Sequence, residues 1–205
     1  MITIHGMADS GNCYKPRLLM ALLGRPFRHE EVSWLDGETS SDAFRRKTPI
    51  GKVPLLETED GRYLPESNAM LVYLGEGTAF IPDDRFERAQ MFAWMFFEQY
   101  SHEPHVAVRR SLLVYPEMAD AATPERLAAT LASGNKALGV MEERLAGHDW
   151  LVGDRPSLAD VALYAYTHVA DEGGFDLEAW PGIGAWLARI AALEGSRPRS
   201  WLPPA

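Results

Sequence analysis

The sequence predicts a small α/β domain followed by an all-helical domain. Over residues 1–77, short runs that alternate apolar and polar residues are interleaved with stretches of helical spacing, and helical spacing dominates beyond residue 85. The segment between them has no periodicity and contains Pro82 and paired aspartates. A chain of 205 residues is long enough to bury two small cores. We therefore expect an α/β domain at 1–77, a linker at 78–85 and an all-helical domain at 86–205.

The expected element order in the first domain is β-α-β-α-β-β-α. ITIHG alternates as a strand does, and CYKPRLLMALLG has helical spacing and ends at Gly24, the residue type favoured just beyond a helix. The turn signal DGR separates two short β-like runs and predicts a hairpin. The remaining elements are a strand in FRHEEVSWL (27–35), a helix in SDAFRRKT, strands in VPLLE and YL, and a helix in SNAMLVYLGEG.

The second domain contains several helix signals. The long apolar-rich stretch beginning at Arg85 is expected to bend at Pro104. Thr123 is placed to cap the next long helix, with Pro124 at its first position. SLAD at 157–160 has the pattern of a capping box, in which the Asp160 carboxylate reaches back to the N–H of Ser157. The Pro-rich C-terminal tail is expected to be irregular.

Composition and charge exclude several classes of function. The net charge of −9, with no basic stretch interleaved with aromatics, argues against nucleic-acid binding. No apolar run approaches the roughly 20 residues needed to cross a bilayer, and the N-terminus lacks the features of a signal peptide. A single cysteine permits no internal disulfide, which favours a cytoplasmic location. HEPH at 102–105 does not match a metal-ligand geometry, so no metal is expected.

KVP and PES are the first two motifs with a possible binding role. Pro54 either starts a strand in the trans form or follows a cis bond, which would turn the backbone of Val53 outward to pair with an extended peptide. Ser67 either simply caps a helix or, at the same N-cap position, leaves an anion site for a carboxylate. Glu66 beside it could accept a bond from an ammonium group. Together these features describe a pocket for a small peptide with a free amine and a free carboxylate.

The stretch MADSGNCYKPRL concentrates residues that can handle a thiol. Ser10, Asn12 and Cys13 lie within four positions of one another, where the first strand is expected to end and the first helix to begin. A hydrogen-bond donor and a helix N-terminus can each lower the pKa of a thiol.

The order and spacing of these motifs resemble the cytosolic glutathione transferase family over nearly the whole chain. The resemblance is carried by SGNCYKPRLLMALLG, TPIGKVPLLE and LPESNAMLVYL in a thioredoxin-like N-terminal domain, and by SLADVALYAY in the helical domain. Ser10, Asn12 and Lys15 match the Ser/Thr-x-Asn-x-x-Lys pattern of some bacterial and fungal members.

The resemblance implies how glutathione, the expected co-substrate, is held. Pro54 is then cis, and the backbone of Val53 pairs with the cysteinyl part of glutathione. Glu66 and Ser67 hold the amine and carboxylate of the γ-glutamyl part, and Lys52 reaches the glycyl carboxylate.

The resemblance also implies a glutathione transferase that activates the thiol for attack on a small hydrophobic electrophile. Ser10 is expected to be the main donor to the sulfur, and Asn12 is the alternative donor, with helix capping as its structural role. Cys13 is either a redox thiol or, as we expect, a small buried hydrophobe. Two other functions stay open, a glutathione-dependent disulfide reductase or peroxidase and a non-catalytic binding module. A homodimer is implied as well.

Overall fold

A computed structural model describes residues 1–204 and divides them into two compact units. The first unit contains Met1–Gly77 and the tail that begins at Leu193, and the second contains Thr78–Ala192. The sequence predicts that the tail belongs to the helical domain at 86–205. In the structure the tail belongs to the first unit, because it forms hydrogen bonds with the first helix of that unit. One example is the backbone carbonyl of Arg197, which accepts a hydrogen bond from the Tyr14 hydroxyl.

The first unit is built on a four-stranded mixed sheet with the strand order β2-β1-β3-β4. Strands β1 and β2 are parallel, whereas β3 pairs antiparallel with both β1 and β4. The predicted order β-α-β-α-β-β-α is confirmed. The elements are β1 (Thr3–Gly6), α1 (Gly11–Leu22), β2 (Arg28–Glu31), α2 (Asp42–Lys47), β3 (Leu55–Glu57), β4 (Tyr63–Pro65) and α3 (Ser67–Gly75).

Helix α1 and strand β2 show how local signals and partners set the length of an element. As predicted, α1 is followed by Gly24, which takes the left-handed backbone conformation with φ 62°. Strand β2 is shorter than the alternating run predicted. Its last bond to the neighbouring strand is from the N–H of Val32 to the carbonyl of Gly6, where β1 ends and no partner continues.

The second unit is all-helical, as predicted, and its long first helix changes geometry before Pro104. A five-residue π-helical segment, Glu98–His102, interrupts the helix at that point. Proline has no N–H to donate and its ring clashes with the preceding turn, so the wider turn accommodates it. The helices are α4 (Arg85–Phe97), α5 (Glu103–Val114), α6 (Pro124–Leu145), α7 (Leu158–Thr167) and α8 (Pro181–Ala191).

Two predicted caps are present in the second unit. The Thr123 hydroxyl accepts the N–H of Arg126 at 3.2 Å at the start of α6. The Asp160 carboxylate accepts the N–H of Ser157 at 2.8 Å, so the backward reach of the capping box is confirmed. Asp160 is fully buried and also accepts the indole N–H of Trp186 at 2.9 Å, which ties α7 to α8.

Residues 1–204 contain neither a membrane-spanning helix nor a cluster of metal ligands. No described helix has the length and apolar character needed to span a bilayer. No group of three or more His, Cys, Asp or Glu side chains in this part of the chain is arranged to hold a metal ion.

Candidate functional site

Ser10 is the N-cap residue of α1. Its backbone is extended, with φ −77° and ψ 127°, and its hydroxyl oxygen accepts the N–H of Cys13 at 3.3 Å. The structural role considered for Asn12, capping this helix, is therefore wrong, because Asn12 lies inside the first turn. A serine hydroxyl can accept two hydrogen bonds and donate one. The cap uses an acceptor site, so the hydroxyl proton can still be donated to a ligand.

Cys13 is fully buried beneath this turn. Burial is the main cause that raises the pKa of its thiol to about 11, against smaller opposing effects from Ser10 and the backbone of Met7. The sulfur packs against β1 so closely that a Cβ on Gly6 would lie 2.7 Å from it. Cys13 therefore fills space as a small protonated side chain, and its environment disfavours the thiolate needed for redox chemistry.

The Cys13 thiol should resist alkylation in the folded protein. Because its pKa is raised from 9.0 to about 11, only roughly one molecule in 10⁴ carries the thiolate at pH 7. Labelling with iodoacetamide at pH 7 should be far slower than in urea-unfolded protein, where the same cysteine serves as the control. Labelling of the native protein at the unfolded rate would contradict this assignment.

Four polar side chains join the start of α1 to the start of α3. Lys15 is fully buried, and its ammonium group donates to the Ser67 hydroxyl and to the Asn68 side-chain oxygen, both at 3.3 Å. The Ser67 hydroxyl in turn donates to the side-chain oxygen of Asn12 at 3.4 Å. The structure thus brings Asn12 and Lys15 of the first motif together with Ser67 of the second.

Helix α3 begins one residue earlier than expected with Ser67 as the N-cap. Glu66, not Ser67, occupies the N-cap position, and Ser67 is the first helical residue. Glu66 has φ 69° and ψ 111°, a conformation that costs a non-glycine residue about 1–3 kcal/mol and that clusters at ligand sites. The first backbone N–H groups of a helix have no partner within it, so an anion site at this helix N-terminus stays a prediction, and Glu66 is exposed beside it.

The KVP motif forms the loop before β3. The Val53–Pro54 peptide bond is cis. Among the described residues, none forms a hydrogen bond with the backbone of Val53, which leaves its N–H and C=O to a ligand. Lys52 next to it is exposed and forms no ion pair within residues 1–204.

Two charged residues near Ser10 were not among the expected site residues. Arg17 is fully buried, burial lowers the pKa of its guanidinium, and it donates to the carbonyl of Ala8 at 2.6 Å. The carboxylate of Glu31 accepts the backbone N–H of Ala8 at 3.0 Å. The available signal for Arg17 was a charged residue directly before the apolar run Leu18–Leu22 of α1.

Arg109, on α5, is a charged residue that could serve a binding pocket of the helical domain. Its guanidinium instead donates to the backbone carbonyls of Gly173, at 2.6 Å, and Leu127. Arg109 therefore has a structural role within the second unit, where it joins α5 to neighbouring segments.

The first unit has the architecture of a thioredoxin-like domain, and its polar groups suit a small thiol peptide. A hydroxyl at the N-terminus of α1, open backbone groups at Val53 and an acidic residue at the N-terminus of α3 lie in three loops of this unit. Together with an all-helical second unit, they define a protein class that binds a peptide thiol beside a helix N-terminus.

Comparisons with known proteins identify the family. Residues 9–76 match the family model of the glutathione S-transferase N-terminal domain, and residues 96–194 match that of the C-terminal domain. Glutathione S-transferase theta-1 of Mus musculus is 34% identical over 180 residues, which cover 83% of this chain and 74% of that protein. The chain therefore belongs to the glutathione S-transferase family.

Two crystal structures extend this result to the fold. A glutathione S-transferase from Pseudomonas fluorescens is 46% identical, with a TM-score of 0.93, and the match covers 97% of this chain and 98% of that one. A possible glutathione S-transferase from Rhodopseudomonas palustris is 43% identical, with a TM-score of 0.95, and covers 100% of this chain and 92% of that one. The predicted fold class is confirmed.

Proposed function

We propose that this protein is a glutathione transferase that binds glutathione in the first unit and activates its thiol with Ser10. The observation that carries the proposal is the polar link between α1 and α3. Through Lys15 and Asn12, it holds Ser67 next to the turn that bears Ser10. Groups suited to a peptide carboxylate are thereby held beside the helix turn that bears a group suited to a thiol, as a bound tripeptide thiol requires.

The pose of glutathione follows from the chemistry of each group. The backbone of Val53 pairs with the cysteinyl part as an added strand does. The backbone N–H of Ser67 and its neighbours at the α3 N-terminus bind the γ-glutamyl carboxylate, because the hydroxyl proton of Ser67 is donated to Asn12. The exposed carboxylate of Glu66 binds the γ-glutamyl amine. Lys52 is exposed and mobile enough in its side chain to reach the glycyl carboxylate.

The reaction starts with ionisation of the glutathione thiol. The Ser10 hydroxyl donates to the sulfur, and the N-terminus of α1 adds a favourable field, so the pKa of the thiol falls below its usual value near ~8.5 and its proton passes to water. The sulfur lone pair forms a carbon–sulfur bond with the electrophile. The leaving group departs with the electron pair of the bond that breaks.

A binding and a turnover measurement test the proposal together. We expect retention on immobilised glutathione, elution by free glutathione, and turnover of a chlorinated dinitrobenzene with release of chloride. Turnover of disulfides or peroxides in place of electrophiles would indicate the reductase or peroxidase alternative. Retention without any turnover would indicate a non-catalytic binding module, and no retention together with no turnover would overturn the enzyme assignment.

We also propose that the protein is a homodimer, because α4 carries an exposed apolar stripe. Phe86, Ala89, Ala93 and Phe96 follow one another at spacings of three and four residues and are all exposed. The exposed fractions of Phe86 and Phe96 are both 70%. Large aromatic side chains in a contiguous exposed stripe mark an interaction surface, and a second copy of the chain is the simplest partner.

Replacing Phe96 with glutamate should convert the dimer into a monomer. A charge in the centre of an apolar interface is left desolvated and unpaired, so association weakens by several kcal/mol, on the order of 10²-fold or more. Sedimentation velocity measures the change. Val140→Glu is the matched control, because Val140 is 46% exposed on α6, away from the stripe. Equal sedimentation of wild type and Phe96→Glu would contradict the proposal.

The remaining partners and the location follow from composition. A single buried cysteine suits the reducing cytoplasm, which is also where glutathione is abundant as a thiol. The acidic net charge of −9 argues against nucleic acid as a partner. We therefore propose a cytoplasmic protein that binds neither nucleic acid nor membranes. Its proposed ligands are those of the reaction above, glutathione and a small hydrophobic electrophile.

A further inference from the structure

The loop between β1 and α1 is held by charged side chains at three successive peptide units. The N–H of Ala8 donates to the carboxylate of Glu31 at 3.0 and 3.1 Å. The carbonyl of Ala8 accepts from Arg17 at 2.6 Å. The carbonyl of Asp9 accepts from Arg199 at 2.6 Å. These three side chains come from β2, from α1 and from the C-terminal tail, so the loop before Ser10 is fixed from three directions.

Arg199 reaches the loop because the tail follows α1 along its length. The tail passes the end of α1 at Gly195, where φ is +83° and a Cβ would lie 2.5 Å from the carbonyl oxygen of Ala21. Further along, the carbonyl of Arg197 accepts the hydroxyl of Tyr14. The tail therefore contacts α1 near both ends before Arg199 meets the loop. The close contact of Gly195 with Ala21 and the hydrogen bond from Tyr14 to Arg197 thus place Arg199 beside the loop.

The peptide unit that Arg199 holds is the one that leads into the N-cap. The carbonyl of Asp9 and the N–H of Ser10 belong to the same planar group, and that N–H donates to the carbonyl of Met7 at 3.1 Å. Arg199 also donates to the carboxylate of Asp9, so one guanidinium bonds to both the backbone carbonyl and the side chain of Asp9. The Arg199 side chain is 15% exposed, so solvent screens this pair only in part.

We propose that Arg199 of the C-terminal tail is a positioning residue for the Ser10 hydroxyl, acting through Asp9. The inference rests on the proposed function, in which that hydroxyl donates to the glutathione sulfur. Such a donor has to lie about 3 Å from the sulfur, and a displacement of about 1 Å can reduce turnover on the order of 10²-fold. Fixing the Asp9–Ser10 peptide unit restricts this displacement before the ligand binds.

Hydrogen exchange tests the positioning without glutathione. The N–H groups of Ser10 and Cys13 report the loop and the cap, because they bond to Met7 and to the Ser10 hydroxyl. In Arg199→Ala they should exchange about tenfold faster than in wild type, because local opening requires less free energy. Arg197→Ala is the matched control, since it removes the same charge from the tail, and within residues 1–204 its guanidinium donates to Ser196 and lies over the Trp201 ring rather than bonding to Asp9.

The thiol pKa of bound glutathione tests the consequence for the site. In Arg199→Ala, the thiolate absorbance should titrate about half a unit or more higher than in wild type, with KM for glutathione changed less than about twofold. Arg199→Lys should recover part of the shift, because lysine can still donate to the Asp9 carbonyl. The shift in Arg199→Ala should persist at high salt, whereas a purely through-space charge effect would be screened.

Each outcome decides between the two proposals. If Arg199→Ala exchanges at the rate of Arg197→Ala, the positioning role is overturned even if the enzyme is active. If exchange accelerates but wild type neither binds nor turns over glutathione, the loop is held as described and the proposed function fails. If Arg199→Ala does not fold, Arg199→Met decides, because it keeps the aliphatic stem but removes the donors to Asp9, and unchanged exchange together with an unchanged thiol pKa in that variant would contradict the proposal.

Discussion

Replacing Ser10 with alanine should raise the pKa of the glutathione thiol in the complex by about one unit or more. It should also lower kcat/KM at neutral pH on the order of 10²-fold, because removing one positioned donor to a developing negative charge costs about 10²- to 10³-fold. The pH dependence of thiolate absorbance in the complex measures the first effect, and turnover of a chlorinated dinitrobenzene measures the second. Activity should be regained as the pH is raised above the new pKa, where the thiolate forms without the donor.

Three variants separate this role from the helix cap that Ser10 also provides. Ser10→Thr keeps a hydroxyl and should keep most of the activity. Ser10→Gly removes the hydroxyl but disturbs the N-cap by only a few tenths of a kcal/mol, so it should lose activity while folding normally. Asn12→Ala should leave the thiol pKa close to that of wild type. An unchanged thiol pKa in Ser10→Ala together with a raised one in Asn12→Ala would assign the donor to Asn12.

Replacing Asp160 with alanine should lower the free energy of unfolding of the second unit by about 3–5 kcal/mol. The buried carboxylate accepts the N–H groups of Leu151 and Ser157, the hydroxyl of Ser157 and the indole N–H of Trp186, all within 3.0 Å. Without the carboxylate these buried donors have lost their common acceptor, and each unsatisfied donor costs about 1–3 kcal/mol. Urea denaturation followed by circular dichroism measures the loss.

Asp154 is the matched control for Asp160. It lies in the same loop region before α7, but it is exposed, so Asp154→Ala should change the free energy of unfolding by less than about 0.5 kcal/mol. Asp160→Asn retains one carbonyl oxygen but turns an amide N–H₂ toward other donors. The free energy of unfolding of this variant should therefore lie between that of wild type and that of Asp160→Ala. A loss below about 1 kcal/mol in Asp160→Ala would show that the buried cluster contributes little to stability.

Features that depend only on residues close together in the sequence were predicted correctly. The capping reach from Asp160 to Ser157 spans three residues, and the helix end at Gly24 requires only a local backbone conformation. The start of α3 was missed by one residue, because the strained backbone of Glu66 has no local sequence signal. Strand β2 was predicted too long, because a strand ends where its partner ends and alternation alone does not show where that is.

The sequence by itself determined the two-domain fold class, the element order, and the three motifs around Ser10, Val53 and Ser67. These features arise from periodicity and turn chemistry within a few residues, which the chain encodes locally. Only the tertiary structure decided that Cys13 is a buried packing residue, that Lys15 bonds to Ser67, and that the tail returns to Asp9. Lys15 and Ser67 are 52 positions apart in the chain, and Asp9 and Arg199 are 190 positions apart. Such contacts form only when the whole unit folds, because ordering the intervening chain costs conformational entropy that the complete core offsets.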